Sequence, residues 1–176
     1  MIDSSNCTCP NAACERHGNC DACNAHHEGN GYCKRSSVIY IKDMSKITAD
    51  MLNGFFAGWQ NKPNPTTHIR IMQNSYRAIV AVDATTGMAV GFINSISDGI
   101  LSAYIPLLEV LPEYRGKGIG RWLVRLMKQE CKHLYMLDIC HDEEIAPFYA
   151  KFEPTGQGRS TLFRNYEAQG GMNIDG

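Results

Sequence analysis

Six consecutive residues, Arg115-Gly116-Lys117-Gly118-Ile119-Gly120, set two cations among three glycines, between an apolar run and a stretch of helical periodicity. Glycine lacks the Cβ that would hold an anion away from backbone N–H groups, and the free N–H groups of a starting helix attract negative charge. Arg115 and Lys117 would add charge-assisted hydrogen bonds. The chemistry predicted is pyrophosphate binding at a strand-to-helix turn. G-x-G-x-x-G is absent, because the glycines fall at 116, 118 and 120, and G-x-x-x-x-G-K-[ST] fails because no Ser or Thr follows Lys117.

A second concentration of chemistry lies at residues 7 to 33, CTCPNAACERHGNCDACNAHHEGNGYC. Cys7, Cys9, Cys14, Cys20, Cys23 and Cys33 are interspersed with His17, His26 and His27 in a segment almost without large aliphatic residues. Such a segment has little to bury, and thiolates and imidazoles at short intervals point to metal-driven folding, with zinc the expected ion. Cys20 and Cys23, two residues apart, are the most zinc-like pair, and the candidate ligands are the six cysteines with His17 and His26. Spacing does not assign them individually. Disulfides, an iron–sulfur cluster and a redox-sensing thiol group are the rival readings. Disulfides rank below metal because the N-terminus MIDSSNCTCP lacks a basic and apolar leader.

The 176 residues suffice for one self-sufficient core with an appendage, and 44% hydrophobic against 20% charged residues place the chain among globular proteins. A net charge of -1 excludes the overall basic footprint of a nucleic-acid binder or polybasic membrane anchor. No apolar run approaches the roughly 18 residues of a membrane span, so a cytoplasmic protein is expected. Aliphatic periodicity becomes dense from Val38, after KRSS at 34 to 37. The expected organisation is a Cys/His-rich extension at 1 to 36, a domain at 37 to 168 and a tail at 169 to 176.

The elements that must position the glycine loop follow from the pattern. VIYIKD at 38 to 43 alternates as a strand, and SKITADMLNGFFAGW at 45 to 59 has apolar residues spaced for one helix face, ended by the prolines at 63 and 65. YRAIVAVD, MAVGFINSIS and ILSAYIPLLEVLP read as three strands joined by the turns DATTG and SDG, an antiparallel meander. A helix from 119 to about 133 with Leu123, Leu126 and Met127 inward precedes a strand at 134 to 140. That makes a βαβ unit with a parallel pairing. A helix at 142 to 152, capped by Asp142, and a strand at 160 to 166 complete a mixed, mostly antiparallel α+β sheet with flanking helices. Cys131 and Cys140 read as small packing groups.

Arg115, Gly118 and Gly120 resemble the signature of the Gcn5-related N-acetyltransferase (GNAT) superfamily: Arg or Gln, two residues, Gly, one residue, then Gly or Ala. IPLLEVLPEYRGKGIG resembles that family's fourth strand running into the loop, and APFYAKF its tyrosine segment; the likeness spans about residues 38 to 166. In relatives that segment runs on as Lys, an apolar residue, Gly and Phe, whereas Lys151, Phe152, Glu153 and Pro154 stand here. The departure bears on the acceptor pocket more than on the cosubstrate.

The resemblance implies transfer of an acetyl group from acetyl-CoA to a primary amine by direct attack in a ternary complex. Main-chain groups of Glu109, Val110 and Leu111 would hold the pantetheine and thioester, while Arg115, Gly116, Lys117, Gly118, Ile119 and Gly120 would hold the pyrophosphate. Tyr149 would meet the sulfur and protonate the leaving thiolate, and Glu109 would deprotonate the amine. His141 is the rival base. The expected partners are acetyl-CoA and an amine acceptor, without nucleic acid or membrane, and a homodimer is compatible with the sequence. The alternative function is a metal- or redox-sensing, CoA-binding regulatory module with little transferase activity.

Overall fold

Apolar runs between Arg77 and Val110, broken by two short polar turns, drive three strands to pair in sequence order. The computed structural model describes residues 38 to 156. Its strands are β1 (Val38–Ile41), β2 (Arg77–Asp83), β3 (Ala89–Ser97), β4 (Ser102–Val110) and β5 (Met136–Ile139), and they form one sheet in the order β1-β2-β3-β4-β5. The first four pair antiparallel and β5 joins β4 in parallel, as the βαβ pattern predicts.

Both faces of the sheet are covered, which is why β2 is buried from Ala78 to Asp83. Helix α2 (Ile119–Glu130) lays Ile119, Leu123, Val124, Leu126 and Met127 on Ile79, Ala81, Ile93 and Ile105. On the other face, helix α1 (Pro65–Gln73) and the irregular stretch before it pack Leu52, Phe55, Phe56, Ile69 and Met72 against Val80, Val82, Phe92 and Leu111. The third helix, α3, is a single short piece (Ala146–Ala150).

Two helices differ from their sequence reading. Residues 45 to 59 form no α-helix: they fold as 3-10 turns at Met44–Lys46 and Ala49–Met51 followed by an irregular strap. The apolar residues still point inward, but Gly54 and Gly58 at φ 86° and Phe56 at φ 60° turn the chain out of any helix. The helix lies after the prolines instead. Pro65 is its first residue and Asn64 caps it, accepting from the Thr67 N–H at 2.8 Å, so the proline starts a helix rather than ending one.

The stretch from 142 to 152 is likewise broken, into a 3-10 turn at Glu143–Ile145 and α3. Asp142 precedes that turn without making a side-chain cap. The expected strand at 160 to 166, the tail and the N-terminal extension lie outside the described residues. Among the described residues no helix is long and apolar enough to cross a membrane.

After α3 the chain reverses through Glu153 at φ 52°, a left-handed conformation at the position where the GNAT pattern has glycine. A side chain there costs about 1 kcal/mol, so Glu153→Gly is expected to raise the free energy of unfolding by about that amount in urea titration. A loss of stability would mean that the Glu153 side chain contributes more than its backbone strain.

Candidate active site

The sheet opens at one place. Pairing of β4 with β5 runs from Ser102↔Met136 to Ile105↔Ile139 and stops, while β4 continues to Val110 with only β3 beside it among the described residues. Between Asn94↔Leu107 and Ile96↔Tyr104 β3 advances two residues and β4 three, a bulge that falls at Ile105 and Pro106. Pro106 has no N–H to give a neighbour, and so suits the end of the pairing. Leu111 N–H donates to the Val90 carbonyl, so by alternation the N–H and C=O of Val110 and Leu108 face the open side. Arg115 Nε reaches back to the Val110 carbonyl at 3.0 Å, tying loop to strand.

The strand ends in a 3-10 turn at Pro112–Tyr114, and the glycine loop follows. Gly116 and Gly118 take φ of 76° and 83°, and nothing lies within 4 Å of where a Cβ would stand on either. Gly118 caps α2, whose first helical bond is from Trp122 N–H to its carbonyl. The N–H groups of Ile119, Gly120 and Arg121 are thus left without intrahelical partners, at the positive end of the helix dipole.

Charge adds to this. From Val110 to Arg125 the chain carries Arg115, Lys117, Arg121 and Arg125 against Glu113 alone, and no carboxylate among the described residues pairs with those four cations. Lys117 Nζ lies 4.6 Å from the Tyr114 ring centre, and the Tyr114 hydroxyl donates to Asp83 Oδ2 at 2.9 Å. That bond, which anchors the loop to the end of β2, holds the Tyr114 phenol above its ordinary pKa. The side chains of Leu111 and Ile119 are buried. The Leu111 N–H donates to the Val90 carbonyl and its own carbonyl accepts from the Tyr114 N–H, so the expected main-chain contact at Leu111 is already taken, and Ile119 could meet a ligand only through its N–H.

Open space over the glycines, unpartnered helix N–H groups and unpaired cations fit a pyrophosphate. The free main-chain groups of β4 fit an extended amide chain such as pantetheine.

The third helix closes the site. A Cβ on Gly120 would meet two Phe148 ring carbons at 3.5 and 3.7 Å and Val110 Cγ2 at 3.6 Å, so the end of β4, the first turn of α2 and α3 converge there. Phe148 in turn meets Tyr149 edge-on at 4.9 Å. The Tyr149 hydroxyl makes no hydrogen bond among the described residues, and burial pushes its pKa up to about 12. It is a protonated donor throughout the neutral and mildly alkaline range. His141 stacks on its ring at 4.8 Å. The His141 Nδ1 lies 2.9 Å from the Asp142 carbonyl, which can only accept, so the neutral ring carries its proton there and presents Nε2 as a base.

Glu109 is half-buried, and both its oxygens accept from the Phe56 N–H, at 2.9 and 3.1 Å. Phe56 escapes sequence reading, since nothing local marks a main-chain donor 53 residues away. Tyr114 and Phe148 are also additions; the tyrosine lies within the quoted loop approach and the phenylalanine within APFYAKF, and both were legible as neighbours of the motif. The Cys and His residues proposed as metal ligands, Cys7, Cys9, Cys14, Cys20, Cys23, Cys33, His17 and His26, lie outside the described residues. Among the described residues no cluster of three His, Cys, Asp or Glu could hold a metal ion. Cys131 is buried against Met127, as a packing thiol.

A family model described as the acetyltransferase (GNAT) domain matches residues 74 to 153. An acetyltransferase candidate from Deinococcus radiodurans R1 is similar at 34% identity and TM-score 0.74, over 80% of this chain and 96% of that one. A GNAT-family acetyltransferase from Streptococcus pneumoniae TIGR4, at 21% identity and TM-score 0.57 over 73% and 99% of the two chains, shares the fold. So does glucosamine-6-phosphate N-acetyltransferase from Arabidopsis thaliana, at 14% identity and TM-score 0.57 over 72% and 97%. No curated protein matches the sequence.

The glycines of the loop differ in what they demand, and substitution separates them. Gly118→Ala forces a side chain into φ 83° and is expected to cost about 1 to 2 kcal/mol of stability. Gly120→Ala meets only ordinary contacts within a helix and should be neutral or gain up to about 1 kcal/mol. Urea titration of the two variants checks the difference, and equal losses would contradict the loop conformation.

Proposed function

The chain belongs to the GNAT acetyltransferase family, and from that we propose that it is an N-acetyltransferase that uses acetyl-CoA to acetylate a primary amine by direct attack in a ternary complex. The observation that carries this reading is the convergence at Gly120. There the glycine loop, the end of β4 and the helix that carries Phe148 and Tyr149 meet, and this supports a reading in which one opening receives both the pyrophosphate and the thioester.

The residues divide the work as follows. Gly116, Gly118 and the N–H groups of Ile119, Gly120 and Arg121 receive the pyrophosphate, with Arg115 and Lys117 neutralising its charge. The open-side N–H of Val110 polarises the acyl carbonyl. Glu109 takes the proton of the acceptor ammonium and so frees the nitrogen lone pair. As the C–N bond forms and the C–S bond breaks, Tyr149 gives its hydroxyl proton to the departing sulfur, the nitrogen gives up its second proton to water, and water returns one to the Tyr149 phenolate, so the products are the neutral acetamide and the free thiol. The Tyr149 hydroxyl, without a hydrogen-bond partner among the described residues and kept protonated by burial, supports a working enzyme, because a module that only binds CoA needs no donor there.

On the cysteine spacing alone, residues 7 to 33 are proposed to hold zinc. Purified protein should then contain one or two equivalents by elemental analysis. Metal-free protein with paired cysteines would exclude zinc, and coloured, iron-containing protein would replace it with a cluster.

The mechanism is tested by thiol release across a panel of amines. Tyr149→Phe should leave acetyl-CoA affinity unchanged and lower kcat, without altering the pH profile below pH 10, because a phenol pushed to about 12 does not titrate there. Glu109→Gln should lower kcat while acetyl-CoA affinity is kept. An unchanged kcat in Tyr149→Phe would return the tyrosine to a packing role.

A further inference from the structure

Glu109 stands in an unusual setting for a carboxylate. It is half-buried, it has no ion pair among the described residues, and its donor is a single neutral N–H, that of Phe56. A charge so placed is under-compensated, and a cation able to reach it would be held more strongly than the amide it displaces.

The surroundings are aromatic. Phe92 is the cross-strand partner of Glu109, and the rings of Phe55 and Phe56 lie 5.1 and 5.7 Å from it. Leu107 and Leu111 belong to the same cluster. Residues 47 to 61 carry neither Lys nor Arg; Lys46 before them pairs with Asp43 at 3.8 Å, and Lys62 after them is exposed, three residues beyond Trp59. The buried polar groups of this face, His68 and Asn94, bring no positive charge: Asn94 is an amide, and burial pushes His68 down to about 4. The unpaired cations Arg115, Lys117 and Arg121 stand on the glycine loop and the start of α2, where the diphosphate is proposed to lie.

The strap over Glu109 is also built to shift. Phe56 holds the left-handed φ of 60° without being glycine, and Gly54 and Gly58 flank it at φ 86° each. Relaxing Phe56 toward an ordinary conformation would release backbone strain and turn its N–H away from Glu109. Lifting both phenylalanine rings would expose buried aromatic surface, so the small backbone movement is the favoured one. Trp59, edge-on to Phe56 at 5.2 Å and 46% exposed, offers a ring surface at the rim.

From this arrangement, and resting on the acetyltransferase reading, we infer that the acceptor is a primary ammonium on an apolar or aromatic body without anionic groups. It takes the Glu109 oxygens from the Phe56 N–H and lays its body against the strap at Trp59. Phosphorylated amino sugars and amino acids with free carboxylates are disfavoured by Glu109 and find no counter-charge in the strap.

The experiment compares phenethylamine and cyclohexylmethylamine with glucosamine 6-phosphate and glutamate as acceptors for the full chain, reading thiol release, with acetyl-CoA affinity measured by calorimetry. The apolar amines should show kcat/KM at least tenfold above the anionic ones. Trp59→Ala should raise KM for phenethylamine several-fold while kcat is kept, a split that a merely structural role would not produce. Equal or reversed preference, turnover of none of the four amines, or an unchanged KM in Trp59→Ala would overturn the inference while leaving the acetyltransferase reading in place. Absence of acetyl-CoA binding would instead remove the acetyltransferase reading itself.

Discussion

Everything in the site depends on β4 losing its neighbour. A strand inside a sheet has its main-chain groups consumed on both sides, and up to Ile105 β4 is such a strand, held by β3 and β5. Beyond Pro106 it keeps only β3 among the described residues, and there the outward N–H and C=O groups of Leu108 and Val110 have no strand to bond. An unpaired run in the middle of a protein is costly unless covered. The glycine loop and α3 border this gap: Arg115 takes the Val110 carbonyl, and Phe148 meets the first turn of α2 beside Val110. The remaining main-chain groups are suited to an extended amide-bearing ligand, which would act as a temporary strand.

The meander was legible because its determinants are local. Alternation fixes each strand's faces, and DATTG and SDG fix the reversals, so β2, β3 and β4 follow from residues a few positions apart. The loop was legible for the same reason, since glycine spacing and cations occur in one run. The strap at 47 to 59 was misread because burial alone sets its apolar spacing; the two glycines in it, Gly54 and Gly58, were the contrary signal. The first helix was missed because Pro63-Asn64-Pro65 reads equally as a stop and as a capped start. Nothing local distinguishes the two, and α1 forms where Ile69 and Met72 can cover Val80 and Phe92.

Glu109 shows the limit most clearly. Its place on β4 could be read from the sequence, but its partner could not, because the Phe56 amide arrives from a strap whose path is fixed by packing Phe55 and Phe56 onto Phe92. The hydrogen bond is thus a consequence of the core. It also makes Glu109 less available than an isolated strand carboxylate would be, which ties its proposed role to the conformation of residues 52 to 59.

The two faces of the sheet separate the candidate base from the candidate acid. Leu107 and Leu111 pack into the cluster of the strap and α1, and Glu109 alternates with them on that side; Leu108 and Val110 pack with Phe148 and Tyr149 into the cluster of α2. The candidate base and the candidate acid therefore approach β4 from opposite faces, with the open strand edge between them. In the proposed chemistry the amine adds to the acyl carbon and the sulfur is expelled from the tetrahedral adduct, so one proton is removed at nitrogen and another is delivered at sulfur. A base and an acid on one face would let Tyr149 hand its proton to Glu109 rather than to sulfur; on opposite faces of β4, as the pleat sets them, the two groups would have no direct path to each other.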